Sequence, residues 1–280
     1  MSEENVVASS WPERVASADK PSIKLLLLSG GSLPGQPHGY ALEWVKKHFD
    51  ASPNAPKNIL SIPYAQAPKD WDKNAEVEKR AFRLLGINII SAHTVDDPRK
   101  LLDKVDDVFV TGGNTFRLLK KLKETGLLSA IQEKVRTGIP YAGTSAGTIV
   151  ACPTIMNSND MNIIPDLESL NALGVFPVQI NAHHIRGHAY YPDETGNYMC
   201  HNGETREDRI EEFHEEHPTM PVIGLPERTA IRMVGNMVEV LGNKPAWLYQ
   251  AGKEPISITD GKILSALVPA LSAPGVERCA

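Results

Sequence analysis

Short, continuous apolar runs alternate with amphipathic segments over the first half of the chain. Residues 23–28 form an apolar run of strand length that ends at a glycine-rich turn, as expected of a strand buried on both faces. Residues 58–62 predict a second strand, which ends at Pro63. Between them, residues 38–49 place apolar side chains at helical spacing. The chain therefore begins with the order strand, helix, strand.

The same alternation continues as far as residue 150. The pattern predicts helices over residues 71–85 and 115–123, and strands over residues 87–90, 105–110 and 140–143. Strands that alternate with helices form an α/β fold, in which a mostly parallel sheet carries helices on both faces. Such sheets bind ligands beyond the carboxyl ends of their strands, and three glycine-rich turns of this chain fall there.

The second half has a different pattern. Residues 153–205 are rich in loop-forming residues, and the segments after them predict a charged helix over 205–216, a strand over 222–225, and short antiparallel strands within 231–241 and 246–258. The chain shows no internal repeat and no clean linker. We therefore predict a single α/β domain over residues 21–260, a flexible leader over residues 1–20 and a tail over residues 261–280.

Composition narrows the class of protein. Of the 280 residues, 41% are hydrophobic and 22% are charged, which is typical of a globular protein and unlike a disordered or coiled-coil chain. The net charge is −5, and the sequence has no block of lysine and arginine, so we expect no nucleic-acid partner.

Cysteine usage and hydropathy bear on the cellular compartment. Cys152, Cys200 and Cys279 lie far apart without Cys-x-x-Cys spacing, which disfavours a disulfide framework and favours a reducing, cytoplasmic location. Residues 1–20 lack the basic start and apolar run of a signal peptide. Residues 137–159 carry no charge, but glycine, proline and polar residues interrupt them, so we expect no membrane association.

A Gly-x-Ser-x-Gly motif, at Gly143, Ser145 and Gly147, stands between a predicted strand and a predicted helix. This context is typical of a nucleophile elbow, a sharp turn that needs small neighbours and pushes the serine hydroxyl outward. The N–H groups of Ala146 and of Gly113, in a neighbouring glycine-rich turn, would then form an oxyanion hole. The alternative is a tight turn in which the serine only caps a helix.

A serine nucleophile requires a histidine base and usually a carboxylate that orients it. His183 and His184 follow an apolar, strand-like run, which favours this pair over the other histidines. The carboxylate candidates are Asp160, Asp193, Glu194 and Glu227. Glu227 follows a predicted strand and a proline, which suits an orienting role, but the sequence does not rank the candidates firmly.

Two other arrangements are conceivable. The residue order of α/β-hydrolases would combine Ser145 with Asp193 and His214, but His214 lies inside the charged helix, so this arrangement ranks second. The sequence has no His-Glu-x-x-His motif and no carboxylate spacing that indicates a metal, so no metal or other cofactor is predicted.

The charged helix begins with a pattern that resembles a capping box, with Thr205 as the N-cap and Asp208 three residues later. The simple interpretation is helix initiation. The functional interpretation is that Arg206, held on this capped helix, pairs with a carboxylate of the substrate through its planar guanidinium.

Several segments together resemble the peptidase E (aspartyl dipeptidase) family, in the family's order: LLLLSGGSLPG, VTGGNTFRLLK, GTSAGTIVACPTI, SNDMNI, FPVQINAH, NGETREDRI and VIGLPE. The resemblance covers about residues 23–247. It implies an α/β fold related to class I glutamine amidotransferases, with serine in place of their cysteine. It also implies hydrolysis of dipeptides that carry an N-terminal aspartate.

Carried over by motif, the resemblance implies that Ser145 is the nucleophile, His183 the base and Glu227 the orienting acid. Asp160 matches a second aspartate implicated in the family's activity, so the third member of the triad stays open. Arg206 matches the arginine thought to bind the aspartyl carboxylate.

The chain also departs from the family pattern. Thr144 precedes the nucleophile where the family often has tryptophan, a variant that resembles cyanophycinase-like relatives. The loop over residues 184–202 is longer than in short bacterial members, and its place between the base and Arg206 suggests an effect on specificity.

We therefore expect a cytoplasmic serine dipeptidase that cleaves Asp-X dipeptides through an acyl-enzyme, with small peptides as its binding partners. One alternative is a cyanophycinase-like β-aspartyl peptidase, and another is a non-catalytic binding protein on the same fold. The sequence leaves the oligomeric state open, with a homodimer as one option.

Overall fold

The computed structural model describes residues 22–30, 39–259 and 264–265. The predicted leader over residues 1–20, most of the predicted tail, His38 and Cys279 lie outside the described residues. Within the described part of the chain, no helix is both long enough and apolar enough to cross a membrane.

The described residues form strands and α-helices that are numbered here in chain order. The strands are β1 (Lys24–Leu28), β2 (Lys57–Ile62), β3 (Ile87–Ser91), β4 (Asp107–Val110), β5 (Tyr141–Thr144), β6 (Gln179–Ala182), β7 (Tyr190–Pro192), β8 (Tyr198–Cys200), β9 (Val222–Leu225), β10 (Thr229–Val234), β11 (Met237–Gly242), β12 (Ala246–Tyr249) and β13 (Ile256–Ile258). The helices are α1 (Leu42–Phe49), α2 (Trp71–Arg83), α3 (Thr115–Glu124), α4 (Leu127–Arg136), α5 (Ala146–Ile149) and α6 (Arg206–Glu216).

Seven strands form the central sheet, in the order β11-β10-β1-β5-β4-β2-β3. The five strands from β1 to β3 in this order pair in parallel, and β10 joins the edge of β1 antiparallel. The predicted mostly parallel sheet is confirmed. Because parallel strands end at one edge, the turns after β1, β4 and β5 lie side by side.

Helices cover both faces of this sheet, as predicted. Alternate residues of a strand point to opposite faces, so Leu25 and Leu27 of β1 pack with apolar residues of α3, α4 and α5. Leu26 and Leu28 pack on the other face with residues of α1 and α2. All four leucines are fully buried, which explains why β1 is a continuous apolar run rather than an alternating one.

The structure contains a second sheet, which has four strands in the order β13-β12-β9-β6. Strands β6 and β9 are parallel, with Ala182 opposite Leu225, so the residues that follow these two strands emerge together. The predicted antiparallel strands near the C-terminus are present, but they divide between the sheets. The hairpin β10–β11 extends the central sheet, whereas β12 and β13 extend the second sheet.

Three features differ from the sequence prediction. Helix α4 was not predicted, and neither was the exposed hairpin β7–β8 within the loop-rich segment. The helix predicted after Ser145 is only four residues long. The hairpin escapes prediction because both of its strands are exposed and therefore carry no alternation of buried and exposed positions.

Candidate active site

Ser145 lies in the turn between β5 and α5, where the backbone is strained. Its φ of 54° and ψ of −111° place a residue with a Cβ in a region that glycine adopts more readily. The two glycines of the motif are required by packing, because a Cβ on Gly143 would collide with the backbone of Gly147. A Cβ on Gly147 would in turn collide with the backbone of Val110. The predicted nucleophile elbow is therefore present as a geometry.

Hydrogen bonds to the end of β1 hold this turn in place. The Ser145 N–H donates to the Leu28 carbonyl over 3.0 Å. The Thr148 hydroxyl lies 2.7 Å from the same carbonyl and 2.8 Å from the carbonyl of Gly143. These contacts fix the serine at the edge where the parallel strands end.

His183 follows β6 and reaches the serine from the second sheet. Its Nε2 lies 2.7 Å from the Ser145 Oγ. Its backbone has a φ of 55°, and its N–H donates to the Ser29 hydroxyl over 2.9 Å. Ser29 in turn donates to the Leu225 carbonyl over 2.7 Å, so one buried hydroxyl joins the ends of β1, β6 and β9.

Glu227 completes the chain of side chains. Its Oε1 is hydrogen-bonded to the Nδ1 of His183. A carboxylate only accepts, so the Nδ1 carries the proton and the Nε2 is free to accept from Ser145. The side chains of His183 and Glu227 are 40% and 52% exposed, so the dyad is open to solvent.

Tyr40 lies close enough to this carboxylate to feel its charge. Its hydroxyl donates to the Gly30 carbonyl. Burial, together with the negative charge of Glu227, raises the pKa of Tyr40 to about 12. The phenol therefore stays protonated and remains a donor near neutral pH.

Asp160 lies elsewhere, at the start of α3. Its Oδ2 accepts from the Thr115 N–H over 2.7 Å and from the Thr115 hydroxyl over 2.5 Å. The Ser158 hydroxyl lies 3.2 Å from the same oxygen. No hydrogen bond joins Asp160 to His183 among the described residues, so Glu227 is the carboxylate that the structure brings to the imidazole.

Arg206 is the first residue of α6, behind the predicted capping box. Thr205 and Asp208 exchange the two hydrogen bonds of that box, at 2.7 and 3.0 Å. Burial and the charge of Arg209 lower the pKa of Arg206, and the charge of Asp160 opposes them. The Arg206 guanidinium has no hydrogen-bond acceptor within the described part of the chain, so it is available to bind an anion.

The turn that contains Gly113, one of the two predicted oxyanion donors, lies beside the serine. A Cβ on Gly112 would lie 3.7 Å from the Ser145 Oγ, which places the turn after β4 beside the hydroxyl. Gly113, at a φ of 142°, packs so tightly on Ala65 that a Cβ would lie 2.5 Å from its carbonyl oxygen. The N–H groups of Gly113 and Ala146 have no acceptor among the residues that the structure describes.

The other candidates do not meet the serine. His184 is buried, and burial lowers its pKa to about 4. The ring of His214 is hydrogen-bonded to the Met220 carbonyl over 3.1 Å. Asp193 accepts from Thr195 and Asn197 in the turn of the β7–β8 hairpin. The α/β-hydrolase arrangement of Asp193 and His214 is therefore not assembled.

Sequence reasoning missed Ser29 and Tyr249 as parts of this region. A polar residue that directly follows the apolar run of β1 was the available signal for Ser29. No comparable signal marks Tyr249, because it lies on β12 and is far along the sequence from the two residues that its hydroxyl contacts. In the described ranges, no group of three or more histidine, cysteine or acidic side chains is arranged to hold a metal ion.

Comparison with known proteins shows the family to which the chain is similar. The model of peptidase family S51 matches residues 25–241. The chain is 36% identical over 240 residues to peptidase E of Salmonella typhimurium (strain LT2) and to peptidase E of Salmonella typhi, covering 85% of this chain and 99% of each relative.

Two solved structures have a similar fold. A putative peptidase E from Listeria monocytogenes EGD-e has a TM-score of 0.56 and 22% identity, over 80% of this chain and 100% of that chain. A peptidase from an acI-B1 actinobacterium has a TM-score of 0.58 and 19% identity, over 85% of this chain and 98% of that chain. These likenesses concern the fold, and they are consistent with the class I glutamine amidotransferase-like fold.

Proposed function

Since the chain belongs to peptidase family S51 and is a serine-type peptidase, we propose that it hydrolyses dipeptides whose first residue is aspartate. The observation that carries the proposal is the continuous chain of hydrogen bonds from Ser145 through His183 to Glu227. Family membership favours a peptidase over the non-catalytic binding protein that the sequence left open.

In the proposed mechanism, the Ser145 oxygen attacks the carbonyl carbon of the peptide bond while the Nε2 of His183 takes the hydroxyl proton. Glu227 accepts from the Nδ1–H, which holds the ring and stabilises the imidazolium. The carbonyl oxygen becomes an oxyanion, to which the N–H groups of Gly113 and Ala146 donate. Each such donor contributes about 3–4 kcal/mol to the stability of the transition state.

The intermediate then collapses. The C–N bond breaks, and His183 gives its proton to the departing amine, which leaves an ester between the aspartyl group and Ser145. Water next attacks the ester carbonyl, again with His183 as base, and the Ser145–acyl bond breaks to release aspartate. The relatively open imidazole and carboxylate give water access to this second step.

Arg206 is the proposed group that recognises the aspartyl side chain. The turn after β4 lies beside Ser145, and α3 starts just after that turn. Asp160 is hydrogen-bonded to the start of α3, and its charge influences the pKa of Arg206. The unpaired guanidinium therefore belongs to the same end of the molecule as the nucleophile. A planar guanidinium binds a carboxylate through two parallel hydrogen bonds.

Ser145→Ala and a substrate panel test the proposal. The panel contains Asp-Leu, Glu-Leu, Asn-Leu, β-aspartyl-arginine and longer peptides that begin with aspartate. We expect Asp-X dipeptides to be cleaved far faster than the rest of the panel, with a slow but measurable turnover of Asn-Leu. All turnover should be lost in Ser145→Ala, with Ser129→Ala on the surface of α4 as the matched control. Undiminished turnover by Ser145→Ala would overturn the mechanism. Preference for β-aspartyl-arginine would favour the cyanophycinase-like alternative instead.

A further inference from the structure

One hydroxyl connects the chain neighbours of the proposed base and of the proposed recognition residue. Tyr249, on β12, has its hydroxyl oxygen 2.7 Å from the Nε2 of His184 and 3.2 Å from the Oε1 of Glu207. His184 directly follows His183, and Glu207 directly follows Arg206. A single hydroxyl is thus hydrogen-bonded to the neighbours of both the proposed base and the proposed recognition residue.

The strand register of the second sheet fixes this hydroxyl. Tyr249 pairs with Val222 of β9, two positions before Gly224. The His184 ring lies directly over Gly224, where a Cβ would be 2.6 Å from the ring Cδ2. The His184 and Tyr249 rings meet edge to face with their centroids 5.3 Å apart, and both side chains are buried. This contact therefore has little freedom to relax.

Glu207 also holds the base of the β7–β8 hairpin. Its carboxylate accepts from the Arg186 Nε and from the Gly187 N–H, each over 2.7 Å. The Arg186 guanidinium lies 4.3 Å above the ring of Trp247, on the same strand as Tyr249. The start of α6 is thus joined to the hairpin and to β12 through one carboxylate.

Each hydrogen bond in the series His184–Tyr249–Glu207 has a definite donor and acceptor. Burial acts to raise the pKa of Glu207, but the hydrogen bonds from Gly187 and Arg186 outweigh it and lower the pKa overall. An ionised Glu207 only accepts, so the Tyr249 O–H donates to it. The tyrosine oxygen then accepts from His184, which is neutral near pH 7 and must carry its proton on Nε2.

The other tautomer fits less well. With the proton on Nδ1, His184 would donate to the Asn181 Oδ1 over 3.3 Å, and Tyr249 would donate to His184. That arrangement leaves the tyrosine oxygen and the Glu207 carboxylate in contact with no proton between them. Two acceptors in contact in a largely buried setting repel each other, so the first arrangement is favoured.

His183 and Arg206 differ in how many other hydrogen bonds hold their side chains in place. His183 has its own hydrogen bonds to Ser29 and to Glu227. The Arg206 side chain makes no hydrogen bond inside the described ranges, so its position depends on the backbone at the start of α6. Loss of the Tyr249 hydroxyl should therefore displace Arg206 more than His183.

We propose that Tyr249 is a positioning residue whose hydroxyl, through Glu207, sets where Arg206 stands relative to His183 and thereby sets the affinity for aspartyl substrates. This inference rests on the proposed function. It assigns no contact between Tyr249 and the substrate, because the hydroxyl is occupied on both sides by protein groups.

Tyr249→Phe tests the inference, because it keeps the ring and removes only the hydroxyl. We expect KM for Asp-Leu to rise about 10-fold, which corresponds to about 1.4 kcal/mol of binding, with kcat changed less than about 3-fold. Turnover of Asn-Leu should be unchanged, since its amide does not need the guanidinium. The rate at which a neutral fluorophosphonate labels Ser145 should also be unchanged.

The matched control is Ser129→Ala, which removes an exposed hydroxyl on α4 and should leave every readout at the wild-type value. His184→Phe is a second variant that keeps the Tyr249–Glu207 bond, so its KM should rise less than that of Tyr249→Phe. Hydrogen–deuterium exchange gives a readout independent of activity. In Tyr249→Phe, exchange at residues 206–210 and at Gly187 should become faster, while that at residues 183–184 changes less.

The possible results separate the two proposals. An active wild-type enzyme whose KM for Asp-Leu and whose exchange are unaffected by Tyr249→Phe overturns the positioning role alone. An equal loss for Asp-Leu, Asn-Leu and Ser145 labelling also overturns it, since the base would then have moved. A wild-type enzyme without Asp-X turnover overturns the proposed function, and unchanged exchange in Tyr249→Phe would still reject the positioning role.

Discussion

The Glu227 carboxylate occupies the space that a side chain on Gly30 would need. A Cβ built on Gly30 would lie 2.5 Å from the Glu227 Oε2, closer than two such atoms can approach. Gly30 directly follows Ser29, which holds the backbone of His183. The glycine-rich turn after β1 therefore shapes the site by leaving room for the carboxylate as well as by hydrogen bonding.

Gly30→Ala should consequently impair catalysis by displacing Glu227 from His183. We expect kcat for Asp-Leu to fall about 10²-fold, short of the ~10⁴-fold that a wrongly oriented imidazole costs. The thermal midpoint should change little, because Glu227 is the mobile end of a half-exposed side chain. Steady-state kinetics and calorimetry check both parts.

A double-mutant cycle identifies the route of this effect. If Gly30→Ala acts through the carboxylate, it should add almost nothing in a Glu227→Gln background. Full additivity of the two substitutions would show that the alanine disturbs some other part of the site.

The strained backbone of Ser145 predicts a difference in stability between two variants that lack the proposed nucleophile. Ser145→Gly relieves the strain of a residue at a φ of 54°, whereas Ser145→Ala retains it. Strain of about 1–3 kcal/mol exceeds the roughly 0.4–1 kcal/mol that glycine adds to the entropy of the unfolded chain, so Ser145→Gly should be more stable by about 1 kcal/mol. Urea unfolding at equilibrium measures the difference.

Ser129 supplies the control, because it lies within α4 with a helical backbone. There the sign should reverse, with the glycine variant about 1 kcal/mol less stable than the alanine variant. If glycine destabilised both positions equally, the strain at Ser145 would carry no free energy.

The elements around Ser145 could be predicted because local rules determine them. Buried parallel strands show as apolar runs, and a sharp turn between strand and helix requires small residues at Gly143 and Gly147. His183 and Glu227 could be nominated because each follows a strand, and parallel strands end together. These inferences need only the order of elements and the geometry of one turn.

The choice among similar residues could not be made from the sequence. His183 and His184 are adjacent, yet one ring reaches Ser145 while the other packs on Gly224. That difference follows from the φ of 55° at His183, which no residue pattern encodes. Likewise, Asp160 and Glu227 each lie in a segment that resembles a family motif. Only the packing of the two sheets decides which of these carboxylates contacts the imidazole.

The proposed function predicts that Arg206→Gln reduces the preference for aspartate over asparagine. Loss of a charged hydrogen-bonding partner costs about 1.5–3 kcal/mol, so kcat/KM for Asp-Leu should fall by about 10- to 100-fold. Turnover of Asn-Leu should stay the same, and Arg206→Lys should retain part of the activity because it keeps the charge without the planar fork. Parallel measurements on the two dipeptides check this.

Arg209→Gln is the matched control on the same helix, since its Nε pairs with Glu204 over 3.3 Å. It should alter the ratio of Asp-Leu to Asn-Leu turnover far less. An equal decline for both dipeptides in Arg206→Gln would instead indicate a disturbed site rather than lost charge recognition.

Glu78 predicts how stability depends on pH. Burial raises its pKa from 4.5 to about 7, although the bond from the Ser61 hydroxyl opposes the shift. Between these values the folded state binds more protons than the unfolded state, so the free energy of unfolding falls as pH rises, by up to about 1.4 kcal/mol per pH unit.

Glu78→Gln should flatten this decline, whereas Glu76→Gln, exposed on the same helix, should not. Asp107, whose pKa burial also raises to about 7, contributes equally to all three proteins, so urea titrations from pH 4.5 to 7.5 isolate Glu78. Parallel stability curves for wild type and Glu78→Gln would show that this carboxyl titrates normally in the folded protein.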